Sequence, residues 1–315
     1  MDMHQKRELR AKKKQENIEE NKNATSINFN WYPGHMTKAK RMMEENIKLI
    51  DLVIELVDAR VPMSSRNPII DELGKNKARL ILLNKSDLAE EKLSDAWADF
   101  FKAKGYSVLK VNSKKGGGIK SIQNVIQEAC KEKTERDRKR GIMNRPVRAM
   151  VVGIPNVGKS TFINALAGKA CAKTGNKPGV TKGKQWIRLN KSVELLDTPG
   201  ILWPKFEDQE VGKKLAFIGS IKGEILQTDL LAIEIIKFMK NCYLGVIADK
   251  YGAVECEDSF ETLRNIAQAR HCLLRGNELD TQKAAQIFVD DFKNGRLGRL
   301  TLERPEEYID ELDEQ

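Results

Sequence analysis

The chain has 315 residues, a hydrophobic fraction of 40%, a charged fraction of 32% and a formal net charge of +10. That length suggests about two domains, and the basic balance suits an anionic partner, nucleic acid first. No apolar run reaches the ~20 residues of a membrane-spanning helix; the cysteines (Cys130, Cys171, Cys242, Cys256, Cys272) lack C-x-x-C spacing, which argues against a zinc site or disulfide framework and suits a reducing compartment.

Residues 1–26 are polar, carry Lys12-Lys13-Lys14 and lack apolar periodicity, and read as a flexible basic arm. They contain no signal-peptide apolar core, and Glu8, Glu16, Glu19 and Glu20 argue against an organellar transit peptide, so a cytoplasmic protein is expected. Asn30-Trp31-Tyr32-Pro33-Gly34-His35-Met36 concentrates aromatics, Pro, Gly and His ahead of a basic amphipathic helix predicted over Thr37–Ile50. Strands are then predicted at Leu52–Val57, Leu80–Leu83 and Ser107–Val111. Helices alternate with them at Ile69–Gly74, Glu91–Lys104 and from Ile119 to about Lys133. That alternation predicts a parallel sheet of βαβ units.

Residues 131–148, with eight basic and three acidic side chains, read as an exposed basic linker. Val147–Val152 is the next strand, and Gly153-Ile154-Pro155-Asn156-Val157-Gly158-Lys159-Ser160-Thr161 follows it as G-x-x-x-x-G-K-S opening a helix. In that context the pattern is a phosphate-binding loop. Backbone N–H groups and the helix N-terminus face the phosphates. Lys159 reaches the β- and γ-phosphates and the Ser160 hydroxyl ligates Mg²⁺. Residues 168–193 carry seven Lys or Arg and no acid, and read as a mobile basic loop running into strands at Gln185–Leu189 and Val193–Leu196. Beyond Pro204 only helical spacing appears, at Val211–Gly219, Asp229–Met239, Phe260–Ala269 and Asp280–Asn294. The last 13 residues, with seven acids, read as an acidic tail.

Asn84-Lys85-Ser86-Asp87 fits N-K-x-D at the end of a buried strand. The Asp87 carboxylate accepts from both the ring N–H and the exocyclic amine of guanine. Adenine offers no such donor pair and would leave a buried partner unmatched. Asn84 and the Lys85 stem shape the base pocket, and Asn112-Ser113 fits the second base-contacting loop. Asp197-Thr198-Pro199-Gly200 fits D-x-x-G, with Asp197 at Mg²⁺ and the Gly200 N–H at the γ-phosphate. Thr181, in Pro178-Gly179-Val180-Thr181, is the candidate switch threonine of the Mg²⁺ shell. The expected ligands are therefore GTP or GDP with Mg²⁺, contacted by Asn84, Lys85, Ser86, Asp87, Asn112, Ser113, Asn156, Val157, Gly158, Lys159, Ser160, Thr161 and Gly200.

These are the GTPase motifs in a cyclically changed order, with N-K-x-D and Asn112-Ser113 ahead of the phosphate loop, Thr181 and D-x-x-G. Permutation preserves a core when the new termini fall at the surface. Here it leads the D-x-x-G segment directly into residues 205–315. With W-Y-P-G-H-M, D-A-R, N-K-S-D, G-I-P-N-V-G-K-S-T, P-G-V-T and D-T-P-G in place, the sequence resembles the circularly permuted GTPases of ribosome assembly. The bacterial YlqF/RbgA family is the best match, over about residues 28–300. The resemblance implies a P-loop α/β G domain (27–204), a helical RNA-binding domain (205–302) and the acidic tail (303–315). It also implies that the partner is the precursor of the large ribosomal subunit and its rRNA. A monomer is expected, and the lack of long apolar runs predicts no membrane association.

Ile201 occupies the position where Ras-like GTPases carry a water-orienting Gln, and it cannot hydrogen-bond. The resemblance points to His35 as the replacement, which imidazole chemistry allows; a packed or capping histidine is the alternative. It further implies that Asn156 helps ligate K⁺ beside the phosphates. Lys159 and Gly200 complete the expected catalytic set. Two other readings stay open: a nucleotide-gated rRNA-binding assembly chaperone with incidental turnover, and a mitochondrial relative. RNA contact is expected from 131–148, 168–191 and the C-terminal Arg264, Arg270, Arg275, Arg296 and Arg299.

Overall fold

The computed structural model describes residues 34–143, 145–172, 185–204, 206, 208–221 and 227–308. The arm, Trp31 to Pro33, Thr181 and the end of the acidic tail lie outside the described residues.

The apolar runs of the first two-thirds of the chain form one sheet in the order β3-β2-β1-β4-β6-β5, where β1 is Leu52–Asp58, β2 Ala78–Asn84, β3 Ser107–Lys110, β4 Val147–Gly153, β5 Gln185–Arg188 and β6 Val193–Asp197. All pairings are parallel except β5 with β6. The strands read as continuous apolar runs because both faces are covered. On β2, Leu80 and Leu82 face the larger core cluster while Ile81 and Leu83 face a second one with Trp97, Phe100 and Phe101, as the two-residue strand period requires.

Among the described residues the helices are α1 Gly34–Asn46, α2 Pro68–Leu73, α3 Glu91–Ala103, α4 Ile122–Ala129, α5 Lys131–Lys139 and α6 Lys159–Ala167, then α7 Gln209–Phe217, α8 Thr228–Cys242, α9 Val246–Tyr251, α10 Ser259–Ala269 and α11 Thr281–Lys293. Helix α1 begins three residues before the predicted start, at Gly34 rather than Thr37. The expected basic linker is partly helical. Helix α5 covers its first half, and Lys133 and Arg145 converge on buried Asp51 at 2.8 and 3.2 Å, pinning the segment to the start of β1. Opposite charge across distant sequence is a signal that local composition does not carry.

The C-terminal region is helical, as expected, and three of its helices, α7, α10 and α11, start where Asp208, Asp258 and Asp280 cap them. It shares a core with the sheet: Phe217, Ile235, Phe288 and Phe292 belong to the same buried cluster as Leu56, Val151 and Leu196.

The chain after α11 returns to the sheet. Leu300 N donates to Leu88 O at 3.0 Å, Leu302 N to Arg60 O at 2.7 Å and Trp97 Nε1 to Glu303 O at 3.1 Å. Glu303, read from the sequence as the first residue of an acidic tail, is 1% exposed. Its carboxylate accepts from Met63 N at 2.8 Å, from Ser64 N at 3.2 Å and from the Ser64 hydroxyl, and pairs with Lys214 at 3.4 Å. Glu303→Ala strands these donors in the interior. It is therefore expected to lower unfolding free energy by about 3 kcal/mol, read as a shifted urea midpoint; a loss below about 0.5 kcal/mol would contradict the clasp.

Candidate nucleotide site

Because β1, β2, β3, β4 and β6 run parallel, their carboxyl ends share one edge of the sheet. The strand order reverses between β1 and β4, the place where open α/β sheets form their crevice. Each sequence motif sits at one of these ends: Asp58 closes β1, Asn84–Asp87 starts on the last residue of β2, Asn112-Ser113 follows β3, and Gly153–Thr161 and Asp197–Gly200 start on the last residues of β4 and β6.

Asn84 is the joint between the motifs. Its Nδ2 donates to Val157 O of the phosphate loop at 2.7 Å, and its Oδ1 accepts from Ser113 N and Ser113 Oγ at 3.2 and 2.8 Å. Gly158 has φ +102, and a Cβ there would lie 2.5 Å from the Asn84 amide, so the close approach requires glycine. Asn156 and Lys85 are non-glycine residues at φ +58, backbone strain of the kind that clusters at binding loops. Asn112 Oδ1 accepts from Lys114 N and Lys115 N, which fixes the turn that follows β3. Ser86 donates through both its N and its Oγ to Val111 O, which sets the Asp87 carboxylate at the surface, 28% exposed and 3.9 Å from Lys115.

The phosphate side carries buried charge. Lys159 is 8% exposed, and its Nζ donates to Gly153 O and Ile154 O, both at 2.9 Å. Burial pushes its ammonium down to about 8, only partly countered by Asp197. Burial likewise pushes the Asp197 carboxyl up to about 6, against the pull of Lys159 and the Thr198 N–H. Asp197 Oδ1 is buried with no hydrogen-bond partner among the described residues. An orphaned carboxylate oxygen of that kind, one strand from the Ser160 loop, fits a divalent cation. Gly200 packs on the phosphate loop; a Cβ there would lie 2.8 Å from Lys159 Nζ and 2.9 Å from Pro155 Cα.

The structure also gives roles that the motifs do not announce. Asp58 is fully buried; Arg60 grips it through Nε and Nη2, both at 2.9 Å, and Lys85 Nζ reaches it at 2.8 Å. Burial opposes the charge, but these two cations hold the carboxyl well below the usual range. Lys85 is thus oriented by the D-A-R segment, whose acid is the last residue of a buried strand. Ile201 is 1% exposed, so its side chain turns into the core. Asn67 Nδ2 donates to Ile201 O at 3.1 Å, a contact that sequence reading missed. His35 is exposed on the first turn of α1, and its neighbour Met36 accepts from Leu202 N at 3.4 Å through sulfur, which sets that turn beside the D-x-x-G exit. Asn156 Nδ2 donates to Gly219 O at 2.7 Å, tying the phosphate loop to the chain after α7.

Of the arginines expected to meet RNA, Arg264 pairs with Glu261 at 2.9 Å, Arg299 with Glu91 at 3.5 Å, and Arg296 with Asp291. Among the described residues no helix is long and apolar enough to cross a membrane.

Comparison with known proteins agrees with this geometry. A family model for 50S ribosome-binding GTPases matches residues 148–251. The chain is 47% identical over 285 residues to ribosome biogenesis GTPase A of Bacillus cereus, covering 90% of this chain and 96% of that protein. It is 33% identical over 288 residues to ribosome biogenesis GTPase A of Thermotoga maritima, covering 91% and 98%. Among solved structures it is similar to the GNP-bound crystal structure of YlqF from T. maritima, with a TM-score of 0.61 and 30% identity over 85% of this chain and 99% of that one. With nucleotide motifs on one edge of a circularly permuted sheet, and relatives of this identity matched over nearly their whole length, the chain belongs to the ribosome biogenesis GTPase A family of GTP-hydrolysing enzymes.

Proposed function

We propose that the chain binds GTP with Mg²⁺ on the carboxyl edge of the sheet and hydrolyses it to GDP and phosphate. The cycle times its binding to, and departure from, the precursor of the large (50S) ribosomal subunit and its rRNA. The carrying observation is the convergence of the base, phosphate and D-x-x-G loops on one crevice, where Asn84 ties Ser113 to the phosphate loop and Gly200 packs against that loop. The protein acts in the cytoplasm, as a monomer, without a membrane.

Asp87 takes the guanine edge, with Lys85 held along the base by Asp58. Ser160, Asp197 and Thr181 are the residues that would hold Mg²⁺, which neutralises phosphate charge when bound. Lys159, resting on two loop carbonyls, has its ammonium at the loop's centre to meet the phosphates. The buried Ile201 cannot orient water, so His35, on the turn beside that segment, takes the task. Asn156 spends its amide nitrogen on Gly219, which leaves Oδ1 as the ligating atom for K⁺. The same burial of Ile201 favours a second reading, a nucleotide-gated rRNA-binding chaperone whose turnover is incidental.

GTP turnover measured with and without purified large subunits separates the two. Stimulation, faster in K⁺ than in Na⁺, is expected; turnover that stays slow with subunits favours the chaperone, and equal rates in the two salts remove K⁺. His35→Ala is expected to keep GTP affinity and lose about 10²-fold of stimulated turnover; unchanged turnover rejects the histidine. Asp87→Asn is expected to shift preference from guanine to xanthine nucleotides in competition binding, and a retained guanine preference refutes the base assignment.

A further inference from the structure

Asn67 lies outside every nucleotide motif, in the loop between β1 and α2, and is 1% exposed. Its Oδ1 accepts from Ile69 N at 3.1 Å, capping α2, and its backbone N donates to Oε1 of buried Glu55 at 3.3 Å. A cap needs only the oxygen, and serine or aspartate serves as well. The amide nitrogen is what asparagine adds, and it donates to Ile201 O at 3.1 Å, across 134 residues of sequence.

The peptide that carries this carbonyl is held on its other side too. Leu202 N donates to Met36 Sδ at 3.4 Å, so the C=O and the N–H of the Ile201–Leu202 peptide are both engaged, one by the β1–α2 loop and one by α1. A planar peptide gripped at both polar ends cannot rotate without abandoning a partner in a dry site. Gly200, immediately before it, is packed against Lys159 and Pro155 so closely that a Cβ would not fit. The D-x-x-G exit is therefore located by its own backbone, in a chain where the residue at 201 contributes no polar side chain.

We propose that Asn67 is a positioning residue for GTP hydrolysis: through Ile201 O it holds the D-x-x-G exit in register with the phosphate loop and with the first turn of α1. The role rests on the GTPase reading of the site and is independent of whether His35 acts on water.

The test compares Asn67→Ser and Asn67→Ala in the full chain, with large subunits present. Serine keeps a capping oxygen but is too short to reach Ile201 O. Both variants are expected to lower kcat about tenfold, with KM for GTP and affinity for GDP within about twofold of the parent. A cap alone predicts a different pattern, in which serine keeps the parental kcat and only alanine loses it; that result overturns the proposal. So does a parallel fall of kcat, GDP affinity and Tm in the serine variant, which would mark general loosening. Met36→Leu, which removes the sulfur acceptor and keeps the apolar packing, is expected to lower kcat about threefold at unchanged GDP affinity; unchanged kcat there also counts against the clamp. GDP affinity of the parent reads the nucleotide site by itself, and His35→Ala assayed alongside reads the histidine, so failure of either is distinguishable from failure of Asn67.

Discussion

The parallel pairing of β1 with β4 is the seam on which everything else depends. It joins the β1-β2-β3 half to the β4-β6-β5 half, with Leu56 opposite Gly153 and Leu52 opposite Ala149. Through that register the end of β1 lies beside the Gly153–Thr161 loop, and the Asn84–Asp87 loop one strand further on. Chain order is irrelevant to such a crevice; what matters is that the strand ends point the same way. Permutation therefore leaves the site intact and changes only which segments enter and leave it.

The same edge concentrates buried charge, and each charge is tolerable only because of another. Asp58 is balanced by Arg60 and Lys85, and Arg60 also donates to Lys293 O at the end of α11. Desolvating one member alone would be severe. The arrangement ties the end of β1 to the end of α11 through one buried guanidinium. Lys159 and Asp197 are a second set of buried opposite charges, with no salt bridge between them among the described residues, and there burial outweighs attraction: Lys159 is shifted down to about 8 and Asp197 up to about 6. That pair is underfilled, as the orphaned Asp197 Oδ1 shows, and a bound cation and polyphosphate would complete it.

The nucleotide motifs and the sheet were legible because they are local. The strand runs Leu52–Val57 and Leu80–Leu83, the loop Gly153–Thr161 and the strand-end placement of Asn84–Asp87 each declare themselves within ten residues. What stayed hidden depends on partners far away in sequence. Residues 131–139 look like a solvated linker until Asp51 supplies the opposite charge. Glu303 looks like a tail residue until Met63, Ser64 and Lys214 surround it. Asn67 looks like a helix cap, and it is one, but its second hydrogen bond lies 134 residues away. Composition describes what a segment would do in water; it is silent on which buried group waits for it.

These long-range ties bear on how nucleotide state can reach the helical domain. A permuted chain suggests a freely swinging appendage hung from the D-x-x-G exit. The structure ties that domain at both ends instead. At its entrance Ile201, Leu202 and Phe206 are buried and Gly219 O holds Asn156. At its exit Arg60 holds Lys293 O, Leu302 N bonds Arg60 O, and Glu303 clasps the loop after β1. A body anchored at two places, with a core shared with the sheet, is not a free appendage. Its entrance meets the phosphate loop, where Gly200 packs against Lys159 and Pro155, whereas its exit is held at the end of β1 by the buried Asp58–Arg60 pair and by Glu303.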